Sequence, residues 1–195
     1  NIQGIGDKHV PLIHNVMNTD FVVGISDEST DNLNIIFNTE IGHKFLENRK
    51  GLNSDLIKKL PEFGFSTIAN ILASIKLAKY LKLGPEDAVI TVATDGADLY
   101  LSELNKAVKG FNGTYDETSC AEIFGQHLKG VSTDNLLELN QMDRERIFNL
   151  GYYTWVEQQG VQVDDFEARR TQDFWDKHYI DMMSLDSKIN QFNSM

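Results

Sequence analysis

The chain has 195 residues, 41% hydrophobic and 24% charged, with a net charge of −11. This describes a soluble globular protein with a sizeable core; the acidic balance, with no Lys or Arg run, argues against nucleic acid and anionic membrane surfaces as partners. No apolar run approaches the roughly 20 residues a membrane span needs, and the single cysteine, Cys120, rules out an intrachain disulfide and points to the cytoplasm.

The chain opens Asn-Ile-Gln, with no initiator Met and no signal-peptide pattern, so we expect a fragment with an upstream part. Residues 20–26, "DFVVGIS", form a short apolar run. Asp27 and Glu28 then open the helical pattern of Leu33, Ile36 and Phe37, with acids where a helix N-terminus favours them. A polar stretch follows, with Gly51, Asn53 and Pro61 marking turns.

"GFSTIANILASIKLAKYL", residues 64–81, reads as a loop turning into a helix, with Ser66 and Thr67 at its head. Ile68, Ile71, Leu72, Ile75 and Leu81 give it a buried stripe, and Gly84 with Pro85 is its expected stop. "AVITVAT", residues 88–94, is apolar and β-branched on both faces, the pattern of a strand buried in a parallel sheet. "TDGADLYLSELNKAV" turns into another helix. From about residue 111 we find no strand candidate, only amphipathic helices; Thr133, Asp134 or Asn135 is the expected cap of one and Asp164 of the last. The order of elements predicts an α/β fold. Residues 1–110 would form a partial, open, mostly parallel sheet flanked by helices, and residues 111–195 an all-helical extension packed on it.

Most isolated motifs have a bland reading. The five histidines show no i, i+4 pair and no cysteine cluster, so no metal site is expected. "GIGDKH" at 4–9 lacks the third glycine of a dinucleotide fingerprint and follows no visible strand. "NGT" at 112–114 is an accidental glycosylation match, Cys120 a small core residue, and the aromatics around Trp155 packing. "GIGDKHVP", "FGFSTI" and "TDGAD" remain. The last two adjoin the expected core strand and helix, where open α/β sheets bind small molecules.

The ordered set "IQGIG…VP", "GFSTIANILASIKLAK" and "TDGADLY" resembles the C-terminal half of pyridoxal-phosphate enzymes of the tryptophan-synthase-β class (fold type II). Cysteine synthases and cystathionine β-synthases are the nearest in pattern, and the tail from Thr133 resembles a longer subgroup of cysteine-synthase-like proteins. The resemblance reaches from residue 1 to about residue 160. It implies the cofactor pyridoxal 5'-phosphate, a serine- or cysteine-like amino-acid substrate, β-elimination or β-replacement chemistry, and a homodimer as the family habit.

Residue by residue, the resemblance makes Ser66 the hydroxyl that meets the pyridine nitrogen, with Thr67 beside it. Gly4 and Gly6 become the glycine loop bordering cofactor and substrate, and Asp95 a polar residue near the ring. Ile68 stands where the family has glycine, and Asp7 where it has a small residue; both touch substrate identity. The family's Schiff-base lysine and phosphate loop lie upstream of the "IQGIG" segment. The resemblance therefore implies no catalytic residue in this chain, an upstream half of the same enzyme as partner, and an inactive isolated chain. The alternative is a non-catalytic α/β module that binds a ligand or a partner.

Overall fold

The computed structural model describes every residue except Asn1, Gln3, Gly4, Asp7, Lys8 and Asn112. Its elements, in chain order, are β1 (Phe21–Val23), α1 (Asp27–Asn38), α2 (Glu40–Lys50), α3 (Ser54–Ile57), α4 (Phe65–Leu81), α5 (Leu101–Lys109), α6 (Glu117–Phe124), β2 (Leu136–Glu138), α7 (Gln141–Tyr152), α8 (Val163–Ala168) and α9 (Gln172–Asn193). The chain divides into two compact units, residues 1–6 with 23–137 and residues 7–22 with 138–195.

Local chemistry sets the helix ends of the first unit. The Ser26 side chain caps α1 by accepting from the Ser29 N–H, with Asp27 and Glu28 in the first turn. Thr39 ends α1 and caps α2 through the Gly42 N–H. Gly51 closes α2 at φ 70°, a left-handed conformation open to glycine at little cost. Asp116 and Ser119 form a reciprocal capping box on α6. Leu33, Ile36 and Phe37 of α1, with Ile68 and Leu72 of α4, form the centre of the core, joined by Phe45 and Cys120.

In the second unit Asn140 and Asp143 form the capping box of α7. Its core is smaller: Val16, Phe148 and Phe166, with Trp155 packed against them. The Arg169 guanidinium lies over the rings of Phe148 and Phe166, and its Nη2 donates to the His14 carbonyl.

The α/β expectation is overturned. The protein is mostly helical, and among the described residues the one sheet is the two-stranded antiparallel pair β1–β2. Residues 88–94, read as a parallel core strand, form no strand at all. They run exposed, with Ile90 93% accessible and the Val92 carbonyl accepting from Asn70 Nδ2 at 2.9 Å. β-propensity is realised only through cross-strand neighbours, and no described segment pairs with this run. Conversely, β2 falls in the stretch read as purely helical. Three further details differ. Lys82 (φ 56°), not Gly84, ends α4, Asn140 rather than residues 133–135 caps α7, and Asp164 lies inside the first turn of α8 while Thr171 stands at the N-cap of the last helix.

Candidate functional site

The head of α4 is built by a long-range backbone contact. Gly64 is its N-cap residue, and its N–H donates to the Asp95 carbonyl at 2.8 Å. A Cβ at Gly64 would lie 2.7 Å from that oxygen, so the "FGFS" and "TDG" segments approach this closely only with glycine there. The Phe65 and Tyr100 rings meet edge to face, 4.7 Å between centroids. Both carboxylate oxygens of Asp95 are engaged, Oδ1 by the Thr94 hydroxyl at 2.7 Å and Oδ2 by the Tyr100 hydroxyl. The Tyr100 bond, then the Thr94 bond, holds the Asp95 carboxyl below its usual range, and the same contact raises the Tyr100 phenol.

Ser66 and Thr67 both sit in the first turn of α4. Ser66 is half-buried, and its hydroxyl bonds no described residue. Thr67 is 2% exposed, and its Oγ1 is buried without a hydrogen-bond partner. Gly6 donates its N–H to the Ile2 carbonyl and lines a cleft of about 290 Å³ against Ala69, Asn70 and Ala73 of α4. Gly4 lies outside the described residues. Of the residues singled out from sequence, Ser66, Thr67 and Asp95 thus meet at one helix head, while Gly6 borders the flank of the same helix.

The sequence reading missed a second polar cluster. Lys76 occupies the third position of the α4 stripe after Ile68 and Leu72, and is 8% exposed. Its ammonium donates to the Asp134 carbonyl at 2.7 Å and the Asp134 Oδ1 at 2.9 Å. The Ser132 hydroxyl and then Lys76 hold the Asp134 carboxyl low. Across the same cavity of about 230 Å³, His127 Nδ1 meets Ser29 Oγ at 3.1 Å, and burial lowers the imidazole pKa. A lysine in register with a buried apolar stripe was the one available signal.

A free hydroxyl at a helix N-terminus, with an orphaned buried hydroxyl beside it, suits the edge of a heteroaromatic ring. No Lys or Arg stands in residues 63–67 or 94–100, so this helix head offers no cationic phosphate cradle. Among the described residues no group of His, Cys, Asp and Glu is placed to hold a metal ion, and no helix is long and apolar enough to cross a membrane. No protein-family model, curated protein or solved structure matches the chain significantly.

Proposed function

We propose that this chain is part of a pyridoxal-phosphate-dependent, cysteine-synthase-like enzyme of the cytoplasm. It would act by β-elimination or β-replacement on a serine- or cysteine-like amino acid. The observation that carries this reading is the Gly64–Asp95 hydrogen bond. It joins two motif segments some 30 residues apart and leaves the Ser66 hydroxyl free beside them. The buried thiol of Cys120 accords with a reducing compartment.

When bound, the cofactor supplies an electron sink for bonds broken at the substrate α-carbon. Ser66 would hold the pyridine nitrogen by a neutral hydrogen bond. A hydroxyl is too weak an acid to keep that nitrogen protonated, which favours elimination over a long-lived carbanion. Asp95, whose two oxygens are already occupied, would act as a positioning residue, fixing the loop and Tyr100 against the helix head. The Schiff-base lysine and the phosphate cradle would come from another segment of the same enzyme.

The test is a titration of the full-length protein with pyridoxal phosphate, followed by visible absorbance. The reading expects binding, and Ser66→Ala should weaken it roughly two- to tenfold, the loss of one neutral hydrogen bond. Since the hydroxyl bonds no described residue, the same substitution should alter stability by no more than about 0.5 kcal/mol. After borohydride reduction, the modified lysine should map outside these 195 residues. Absence of binding would overturn the enzyme reading in favour of a non-catalytic ligand-binding role, to which the Lys76–His127 cavity would be suited.

A further inference from the structure

The cavity between the head of α1 and the middle of α4 is lined by donors that the protein leaves unspent. An ammonium carries three N–H donors. Lys76, 8% exposed, gives two of them to Asp134, and the third has no partner among the described residues. Asn32 Nδ2, anchored on the Glu28 carbonyl at 2.8 Å, faces His127 Nε2 at 3.5 Å, which assigns the imidazole proton to Nδ1. Nδ1 then donates to the Ser29 hydroxyl, which bonds the Ser26 hydroxyl at 2.8 Å. That bond uses one of the two hydroxyl hydrogens and leaves the other without an acceptor among the described residues. The Glu28 N–H, in the first turn of α1, meets no described carbonyl either. Ser26, Glu28, Ser29 and Lys76 all line the same space of about 230 Å³.

We propose that this cavity is a binding site of its own, for a small α-amino acid held as a zwitterion. Charge selects the ligand. Lys76 is the one cation lining the cavity, since the hydrogen bonds of His127 are those of the neutral ring. Two carboxylates accompany it, Asp134 on the ammonium itself and Glu28, whose charge reaches the His127 ring. A lone anion would therefore enter a space that is negative on balance, and a lone cation would leave the unspent donors unused. An amino acid answers both. Its carboxylate takes the donors of Lys76, Glu28 N–H and the serine pair, and its ammonium takes the Glu28 carboxylate, which bonds no described residue. Ile25, Leu72 and Val131 supply an aliphatic wall for the side chain. The volume is below the roughly 300–1,000 Å³ of drug-sized sites, so that side chain is short. Lys76 stands about 15 Å further along α4 than Ser66, and the inference does not rest on the cofactor reading.

An NMR titration of the full-length protein, free of pyridoxal phosphate, with L-alanine tests this inference independently of cofactor binding. Propionate and ethylamine, each lacking one of the two charges, are the comparison probes. L-Alanine is expected to bind, and each comparison probe to bind roughly tenfold more weakly or worse. Lys76→Met should weaken L-alanine by about tenfold or more, the loss of a charge-assisted hydrogen bond. Glu28→Gln should weaken L-alanine yet strengthen propionate, a pair of opposite changes that damage to the fold would not produce. No binding of L-alanine would overturn the proposal, whatever the cofactor titration shows. Propionate bound as tightly as L-alanine would make this an anion site and overturn it equally. So would L-alanine binding that survives Lys76→Met but not Ser66→Ala, which would place the amino acid at the head of α4.

Discussion

The Gly64 N–H donates to the Asp95 carbonyl at 2.8 Å, tying the first turn of α4 to a loop that arrives exposed and outside any sheet. This one bond gives residues 88–96 a fixed end.

Gly64→Ala should therefore be disruptive although its φ of −76° is ordinary. The added methyl would meet the Asp95 carbonyl at 2.7 Å, and the Asp95 carboxylate and Tyr100 ring at 3.1 Å. We expect a loss of about 1–3 kcal/mol in chemical denaturation, the usual range for overpacking. An unchanged midpoint would show that the loop swings away freely.

Lys76 and Asp134 should respond asymmetrically. The Lys76 side chain is 10% exposed and that of Asp134 59%. Lys76→Met removes the buried cation and returns an exposed carboxylate to water, so stability should change by less than about 1 kcal/mol. Asp134→Ala leaves a buried ammonium with only the residue 134 carbonyl, and should lower stability more than Lys76→Met does. Urea midpoints of the two variants check the order.

Two isoleucines separate the expected fold from the observed one. Ile90→Ser, at a 93% exposed position, should be neutral within about 0.5 kcal/mol. Ile68→Ala, at a fully buried one, should cost about 2–5 kcal/mol. A large loss at Ile90 in thermal unfolding would mean that this run is covered in solution.

Acid should weaken the fold in the histidine range. Burial lowers the His127 pKa below its ordinary 6.5, so the unfolded chain takes up a proton that the folded chain refuses. The stability involved is full above about pH 6.5 and is lost as pH falls through the lower folded value. The melting temperature should fall between about pH 7.5 and pH 5, by roughly 2–4 °C for each kcal/mol lost. His127→Gln should flatten this dependence in part only, because burial, and then Arg169, lowers His14 in the same direction.

What could be read from sequence was local chemistry. Acids after Ser26, and apolar residues at three-and-four spacing, mark α1 and the centre of α4 because a helix supplies its own hydrogen bonds. A strand does not, so the run 88–94 carries strand residues without specifying a neighbour, and here none is present among the described residues. β2 is three residues long, introduced by Asn135 at φ 52°, too short for any period to show. Motif order singles out Ser66, Thr67 and Asp95, which the structure places at or beside the head of α4. Lys76 and His127 escaped because their partners, Asp134 and Ser29, lie 58 and 98 residues away.

The short pair β1–β2 also sets how the polypeptide can be cut and rejoined. Gly24 bonds the Asn135 carbonyl on one side of it, and Leu139 bonds that of Asp20 on the other. Residues 24–135 are thus an insert in the chain whose two ends lie on adjacent strands, a two-stranded stem. Ribosomal synthesis must finish that insert before residues 7–22 meet the segment that completes their unit. For protein engineering, the stem is a splice site. Replacing residues 25–134 with a two-residue Asn-Gly turn, closed by the hydrogen-bonded Gly24–Asn135 pair, would join the strands as a hairpin and leave a miniature of residues 7–24 and 135–195 with its own core.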